Sequence, residues 1–440
     1  MHNTFRLALF AAVTSSGFGA LADDFLVTNV DVIPMTSATV SANQDVLIRD
    51  GQFAAIGPHG TLRKIRRAKT IAGQGKFLVP GFMDMHVHLN GRMNVQEDML
   101  YLYVSNGVTT VFTMAGSNQV LKLAEMTRDK ELLGPRIFTT APIMGNLSPN
   151  PATAEKAHAM VEKYADIGYE YLKVYNQIPE AGYWGIIEAA REHNITVVGH
   201  AVRSVGIEGA IEAGQHIVHM EEFIYGYFKD DRDETRIQPL ARRLKDAGIV
   251  VIPNLIAYHN ILRQVEDLDA MIASEGVDLL PWRLRMNFGA DKNSYTNRFD
   301  MDDANNYLGP NVKFMRKLVK AFEAEGVTML TGTDAVMNIV VPGFSLHDDL
   351  QELVDANLTP YQALRCATVN PATFLEIDTE SGTIETGKAA DAVLLDANPL
   401  DDIANTRKIA GVFVRGEWLP RDEIDEQYAE IKRRSIESEP

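Results

Sequence analysis

The residues with the clearest chemical potential are Asp84-Met85-His86-Val87-His88. Side chains two apart on a β-strand leave by the same face, so His86 and His88 present two imidazoles to one side, close enough to share an ion. On a helix they would diverge. Further ionisable groups stand at the ends of short apolar runs. Lys173 lies within Tyr171-Leu-Lys-Val-Tyr175, His200 closes Thr196-Val-Val-Gly-His200, His219 closes Ile217-Val-His219, and Asp334 closes Leu330-Thr-Gly-Thr-Asp334. Imidazole and carboxylate suit zinc and related divalent ions. Four histidines and an aspartate exceed what one catalytic zinc with an open water position takes, and they suit two ions. A lysine among apolar strand residues is costly unless it is neutralised or paired. Either Lys173 reaches solvent on its methylene stem, or it is carbamylated by CO2 and becomes an anionic, two-oxygen bridge between the ions.

These groups need elements that aim them at one place. Eight apolar runs alternate with helical stretches: Phe82–Leu89, Val108–Met114, Arg136–Ala141, Tyr171–Tyr175, Thr196–His200, Ile217–Glu221, Val250–Leu255 and Thr328–Thr333. Strand–helix alternation implies parallel strands with crossover connections, and eight such units over roughly 250 residues predict a (β/α)8 TIM barrel, here spanning 80–384. The rival is an open doubly wound sheet, which carries a Gly-rich phosphate turn after its first strand; none is present. In a barrel, the ends of strands 1, 4, 5, 6 and 8 converge on one face. The connection over 257–327 is longer than one helix requires and holds His259, Trp282, Arg283 and Arg285. It is expected to form a lid or substrate-binding helix, or else a packing or subunit contact. The β-type runs over 23–79 and 385–420 predict a small β-sandwich shared between both ends of the chain, with hairpin turns at Asp50-Gly51 and Arg415-Gly416. Residues 421–440 alternate acids and bases and read as a solvated C-terminal helix and tail.

Composition narrows the function classes. The chain has 440 residues, 46% of them hydrophobic, and a formal charge of −17. Such an acidic balance sets nucleic-acid binding aside. The single cysteine, Cys366, rules out an intrachain disulfide framework and a thiolate-rich metal site. Residues 1–22 place Arg6 before a short apolar run that ends Ala20-Leu21-Ala22, the pattern of a secretory signal peptide. The expected product is secreted or periplasmic, starts near Asp23 and has no membrane partner after cleavage.

Pro80-Gly81-Phe82-Met83-Asp84-Met85-His86-Val87-His88, together with Thr331-Gly-Thr-Asp334, Thr368-Val-Asn-Pro371-Ala372 and Gly382-Thr-Ile-Glu-Thr-Gly387-Lys-Ala-Ala-Asp391, resembles the metal-dependent amidohydrolase superfamily. Leu172-Lys173-Val-Tyr175 and Gly199-His200-Ala look most similar to its imidazolonepropionase and Xaa-Pro dipeptidase-like branch. The resemblance implies two divalent ions, zinc by preference. It implies His86, His88 and Asp334 on one and His200 and His219 on the other, with Lys173 as a bridging N6-carboxylysine. One departure is the spacing of five from Gly214 to His219, where many relatives have six, so His216 competes for that role.

The implied activity is amide hydrolysis by a metal-bridging hydroxide, with Asp334 as general base and then acid, on dipeptides or N-acyl amino acids. The same centre would serve an ester, lactone, phosphotriester or cyclic amide. A deaminase more often uses one metal, a glutamate on strand 5 and no strand-4 lysine, so Lys173 speaks against it. A non-catalytic scaffold or binding protein is the reading from another class. Tyr175 either donates to the tetrahedral oxyanion or packs. Arg203 either binds a substrate carboxylate or starts a helix in solvent. Glu221 and Glu222 either hold a substrate amine or orient a ligand. His259 is a candidate pocket residue, and His347 reads as a helix-start residue. The partner is a small-molecule amide, and a homo-oligomer remains open.

Overall fold

The computed structural model describes residues 23–62, 68–89, 93–145, 150–229, 231–337 and 339–437; the expected signal peptide, 1–22, lies outside them. Short runs rich in β-branched and aromatic residues make the first described segments strands. β1 (Phe25–Val32) pairs antiparallel with β2 (Ser41–Arg49), and β2 turns into β3 (Gln52–Pro58). β4 (Lys69–Ala72) and β5 (Phe77–Pro80) run parallel to β1. The β2–β3 turn has Asp50 at φ 51° and Gly51 at φ 75°. Two successive positive φ values are what a two-residue primed turn requires.

The barrel elements follow. β6 (Phe82–Val87), β7 (Val108–Thr113) and β8 (Arg136–Thr139) form one parallel sheet. β9 (Tyr171–Val174), β10 (Thr196–Gly199), β11 (His216–Val218) and β12 (Val251–Ile252) form a second. Every residue of β6, β7 and β9 is buried, as expected of parallel strands with both faces covered. The two ladders do not merge into one continuous sheet. Single backbone bonds join them instead: Ala141 N to Tyr171 O at 2.7 Å, and Tyr175 N to Met144 O at 2.9 Å. The result is a TIM-barrel-like α/β fold.

The eighth run differs from its expectation. Over 328–333 no strand forms; Met329 makes an isolated parallel bridge to Val251. The reason is where its amides go. Gly332 N donates to Asp349 Oδ2 at 3.2 Å and Thr333 N to Asp84 Oδ1 at 2.9 Å, while Thr331 N donates to Cys366 O at 2.8 Å. Buried carboxylates replace the ladder partners. Two amides still reach the neighbouring strands, Leu330 N to Val251 O and Asp334 N to His86 O, so the segment keeps its place in the ring.

The chain then returns to the first sheet. β13 (Ala392–Leu395) pairs antiparallel with β5, and β14 (Ile409–Val414) and β15 (Glu417–Pro420) extend the edge. Strands from both ends of the chain thus meet in this sheet. The hydrogen-bonded order is one path, β15-β14-β13-β5-β1-β2-β3, with β4 beside β1, rather than two separate sheets. It encloses a cluster that includes Val27, Val46, Phe53, Leu394 and Phe413. Its two hairpin turns also meet. A Cβ on Gly416 would stand 2.4 Å from Gly51 Cα.

The C-terminal helix, Arg421–Glu437, is less solvated than its charges suggest. Ile424 and Ile431 are buried, and the Tyr428 hydroxyl donates to Ser105 Oγ at 2.9 Å. The long connection supplies helices Leu255–Glu266 and Gly309–Glu325 with shorter turns between them.

Candidate metal centre

His86 is on β6 and His88 lies just past it, and both turn inward. Nε2 of His88 stands 2.8 Å, and Nε2 of His86 3.4 Å, from Oδ1 of Asp334. One ligand atom from each of these three residues lies within 4.8 Å of the others, a spacing that can hold a metal ion. Oδ1 of Asp334 is buried, and the ring nitrogens of His88 and His86 are its close polar neighbours. A carboxylate oxygen facing two imidazole nitrogens in a buried place is a donor set that suits a divalent cation.

The other candidates line up across the same cavity. The rings of His86 and His219 are 4.9 Å apart, those of His219 and His200 4.6 Å, and those of His200 and Tyr175 4.1 Å. His219 Nδ1 is buried without a hydrogen-bond partner, 3.6 Å from Oε1 of Glu221. Lys173 on β9 is buried, and its Nζ donates to Met114 Sδ at 3.3 Å. The alternative in which this lysine reaches solvent does not apply.

Burial governs the protonation of the set. It pushes His86, His200 and His219 well below the usual imidazole range, with Lys173 adding repulsion to each. Neutral imidazole is the ligating form. Burial also lowers Lys173 to about 7, against the pull of Asp334 and Glu222. Burial works to raise Asp334, yet the His88 bond and the nearby His219, His88 and Lys173 outweigh it and hold this carboxyl below its ordinary value. Anionic carboxylate beside neutral imidazoles is the protonation state that a hard or borderline divalent ion selects.

Side chains other than the ligand candidates hold this arrangement. Asn254, at the end of β12, accepts at Oδ1 from His219 N, sits 3.2 Å from His86 Nδ1, and donates Nδ2 to Gly332 O at 2.7 Å. Asp84 accepts from the Thr333 hydroxyl at 2.6 Å, locking the Asp334 segment to β6. Asp349 bonds Gly332 N and Ile256 N. The signal for Asn254 was a polar residue after an apolar run, the same signal that marked His200 and His219. His219, Asn254 and Asp334 all have positive φ, at 71°, 48° and 63°. Backbone strain of this kind concentrates at functional sites.

Gly332 shows how tight the fit is. A Cβ there would meet Ile252 Cγ2 at 2.5 Å, His86 Cβ at 2.9 Å and Asn254 Nδ2 at 3.1 Å. Gly332→Ala is expected to destabilise the fold by about 1–3 kcal/mol through overpacking and to weaken metal binding by displacing His86. Thermal denaturation and metal titration check this; normal metal affinity in a folded variant would contradict it.

Remaining candidates divide. Tyr175, Asn176, His200, Arg203, Glu221 and Glu222 line a cleft of about 600 Å3 beside the histidines. Glu222 Oε1 is engaged by His200 Nδ1 at 2.6 Å and Asn176 Nδ2 at 2.9 Å. It orients the His200 ring and leaves Nε2 free to ligate. His259 stands elsewhere: its Nδ1 is 2.5 Å from Glu352 Oε1, in a charged cluster with Arg316, so its contacts are structural. His216 opens β11 at the far end from His219, accepts from Val250 N at 3.1 Å and packs on Phe374, away from the ligand cluster. His347, on helix Phe344–Asp355, is buried beside Thr406 and Phe82.

Among solved structures, the chain is similar to a Xaa-Pro dipeptidase with bound methionine (TM-score 0.69, 19% identity, 90% of this chain and 100% of that one). It is similar also to a putative prolidase from Bifidobacterium longum (TM-score 0.68, 22% identity, 93% and 99%) and to bottromycin amidohydrolase (TM-score 0.73, 22% identity, 94% and 90%). These likenesses concern the fold. By sequence it is 38% identical over 88 residues to adenine deaminase 2 of Shouchella clausii, covering 20% of this chain and 15% of that protein. It is 22% identical over 396 residues to adenine deaminase of Desulforamulus reducens, covering 85% of this chain and 54% of that one. The chain therefore spans at most about half the length of these curated relatives. The amidohydrolase family model matches residues 77–419, from the last strand before the barrel to the returning sheet and across every ligand candidate, and the chain belongs to that family of metal-dependent hydrolases.

Proposed function

We propose that the protein is a binuclear metal-dependent amide hydrolase acting on dipeptides or N-acyl amino acids. The observation that carries this reading is the buried Lys173 within electrostatic reach of His86, His200, His219 and Asp334. A buried lysine lowered to about 7 has an appreciable neutral amine fraction at neutral pH, the form that adds CO2. As a carboxylate it would bridge one ion held by His86, His88 and Asp334 and another held by His200 and His219. Bound there, such ions lower the pKa of a shared water and polarise a carbonyl.

The chain's own groups would do the rest. Asp334 accepts the proton of the attacking water and delivers it to the leaving nitrogen. Tyr175, beside His200, is in reach of the cleft to donate to an oxyanion, and Arg203 meets a substrate carboxylate at its mouth.

A second reading has one observation in its favour: the relatives matched by sequence include adenine deaminases. The lysine at the centre distinguishes it from a deaminase built on a single ion. Metal-replete protein should bind about two ions per chain and hydrolyse dipeptides or N-acyl amino acids. Chelation should abolish that activity and added metal restore it. Ammonia release from adenine without amide hydrolysis would select the deaminase, and metal-free folded protein with neither activity would select a scaffold.

A further inference from the structure

Tyr225 and Gly226 of a π-helical turn line the cleft, and a second π-helical turn lies in the long connection. Ile224–Phe228 follows the His219 strand end, and Ala304–Leu308 belongs to the long 257–327 connection. In i→i+5 bonding, residues five apart share a face. Phe223 and Phe228 accordingly both face helix Gly309–Glu325, where their rings meet Phe322 at 5.3 Å and Phe314 at 4.9 Å edge-on. Tyr225 lies between them in sequence but is 48% exposed and lines the cleft with Glu221, Glu222 and Arg203.

This ring is anchored by its far end. Tyr258 and Tyr307 neighbour the Tyr225 hydroxyl. The Tyr258 hydroxyl accepts from Asn311 Nδ2 at 2.9 Å, and Asn311 Oδ1 accepts from Arg232 Nε at 2.9 Å and Nη2 at 2.7 Å. The long connection thus supplies the groups that fix a cleft-lining ring. Tyrosine held at its hydroxyl keeps its apolar face available, and an aromatic face in a cleft recognises aryl or large apolar groups. Arg203 and Lys229 line the same cleft, and neither forms an ion pair with a described residue.

We propose that Tyr225, positioned by Tyr258 and Tyr307, selects substrates that pair an aromatic or large apolar side chain with a carboxylate facing Arg203 and Lys229. The inference rests on the amide-hydrolase reading and gives its substrate class. On this reading the 257–327 connection serves to set the position of a specificity residue on another loop.

The test compares N-acetylphenylalanine with N-acetylalanine on metal-replete full-length protein, by calorimetric binding and, separately, by hydrolysis. Wild type should favour the phenylalanine compound by about tenfold or more. Tyr225→Ala should collapse that ratio to about threefold or less through KM for the phenylalanine compound. Tyr225→Phe should retain part of the preference, and Tyr307→Phe, which leaves the ring but frees its anchor, should lose part of it. Equal affinity of wild type for the two compounds overturns the proposal even if Tyr225→Ala fails to fold; so does an unchanged ratio in Tyr225→Ala. Discriminating binding without hydrolysis would overturn the amide-hydrolase reading and leave the Tyr225 wall standing, and hydrolysis without discrimination does the reverse.

Discussion

Asp334→Asn should lower kcat by at least about 10²–10⁴-fold, the usual range for removing a general acid–base group, while the protein stays folded. The amide is nearly isosteric with the carboxylate, so His86 and His88 keep a neighbour of the same shape. It cannot take a proton from water, and it contributes no charge to a cation. The backbone at Asp334 has φ 63°, a conformation that asparagine tolerates better than most residues, which makes this the least disruptive replacement. Circular dichroism and melting temperature should match wild type, while metal content falls on one of the two ions. Turnover within about tenfold of wild type would remove Asp334 from the reaction.

Lys173→Met should separate stability from function. The amine is buried and its partner atom is a methionine sulfur, so in the metal-free protein its desolvation is offset by little. A thioether of similar length removes that penalty. The apo variant is expected to be as stable as wild type or more stable by about 1–4 kcal/mol, as when buried charges are replaced by apolar groups. The same variant should lose the bridging position, bind about one ion instead of two and lack amide hydrolysis. Wild type reconstituted in carbon-13-labelled bicarbonate should show a carbamate carbonyl resonance that the variant lacks. Full metal content and activity in Lys173→Met would exclude the bridge.

The legible part of this protein was the part set by local residue types and turn residues. Short β-type runs marked the strands at both ends of the chain, and Asp50-Gly51 and Arg415-Gly416 marked the β2–β3 and β14–β15 turns, because those features depend on neighbours in the chain. Seven of the eight apolar runs chosen for the barrel contain strands. The eighth does not, since its amides are taken by Asp84 and Asp349, residues about 250 positions before and 17 positions after it. No local pattern reports such partners. The C-terminal helix was read from its charges as solvated, and the few apolar residues that bury it, Ile424 and Ile431, are too sparse for a convincing stripe.

Residue types and strand-end positions in the sequence by itself determined the ligand candidates: His86, His88, Lys173, His200, His219 and Asp334. Parallel strands deliver their ends to one face, so a list of strand-end groups is already a list of neighbours. Only the tertiary structure decided among groups that were alike in sequence. It put His219 among the histidines and His216 at the other end of the same strand, tied His259 to Glu352 and Arg316, engaged Glu222 with His200, and recruited Asn254 to hold two ligands at once. The physical reason is that a side chain's type sets what it can bind, whereas its role depends on which buried polar atoms still lack a partner once the chain has packed.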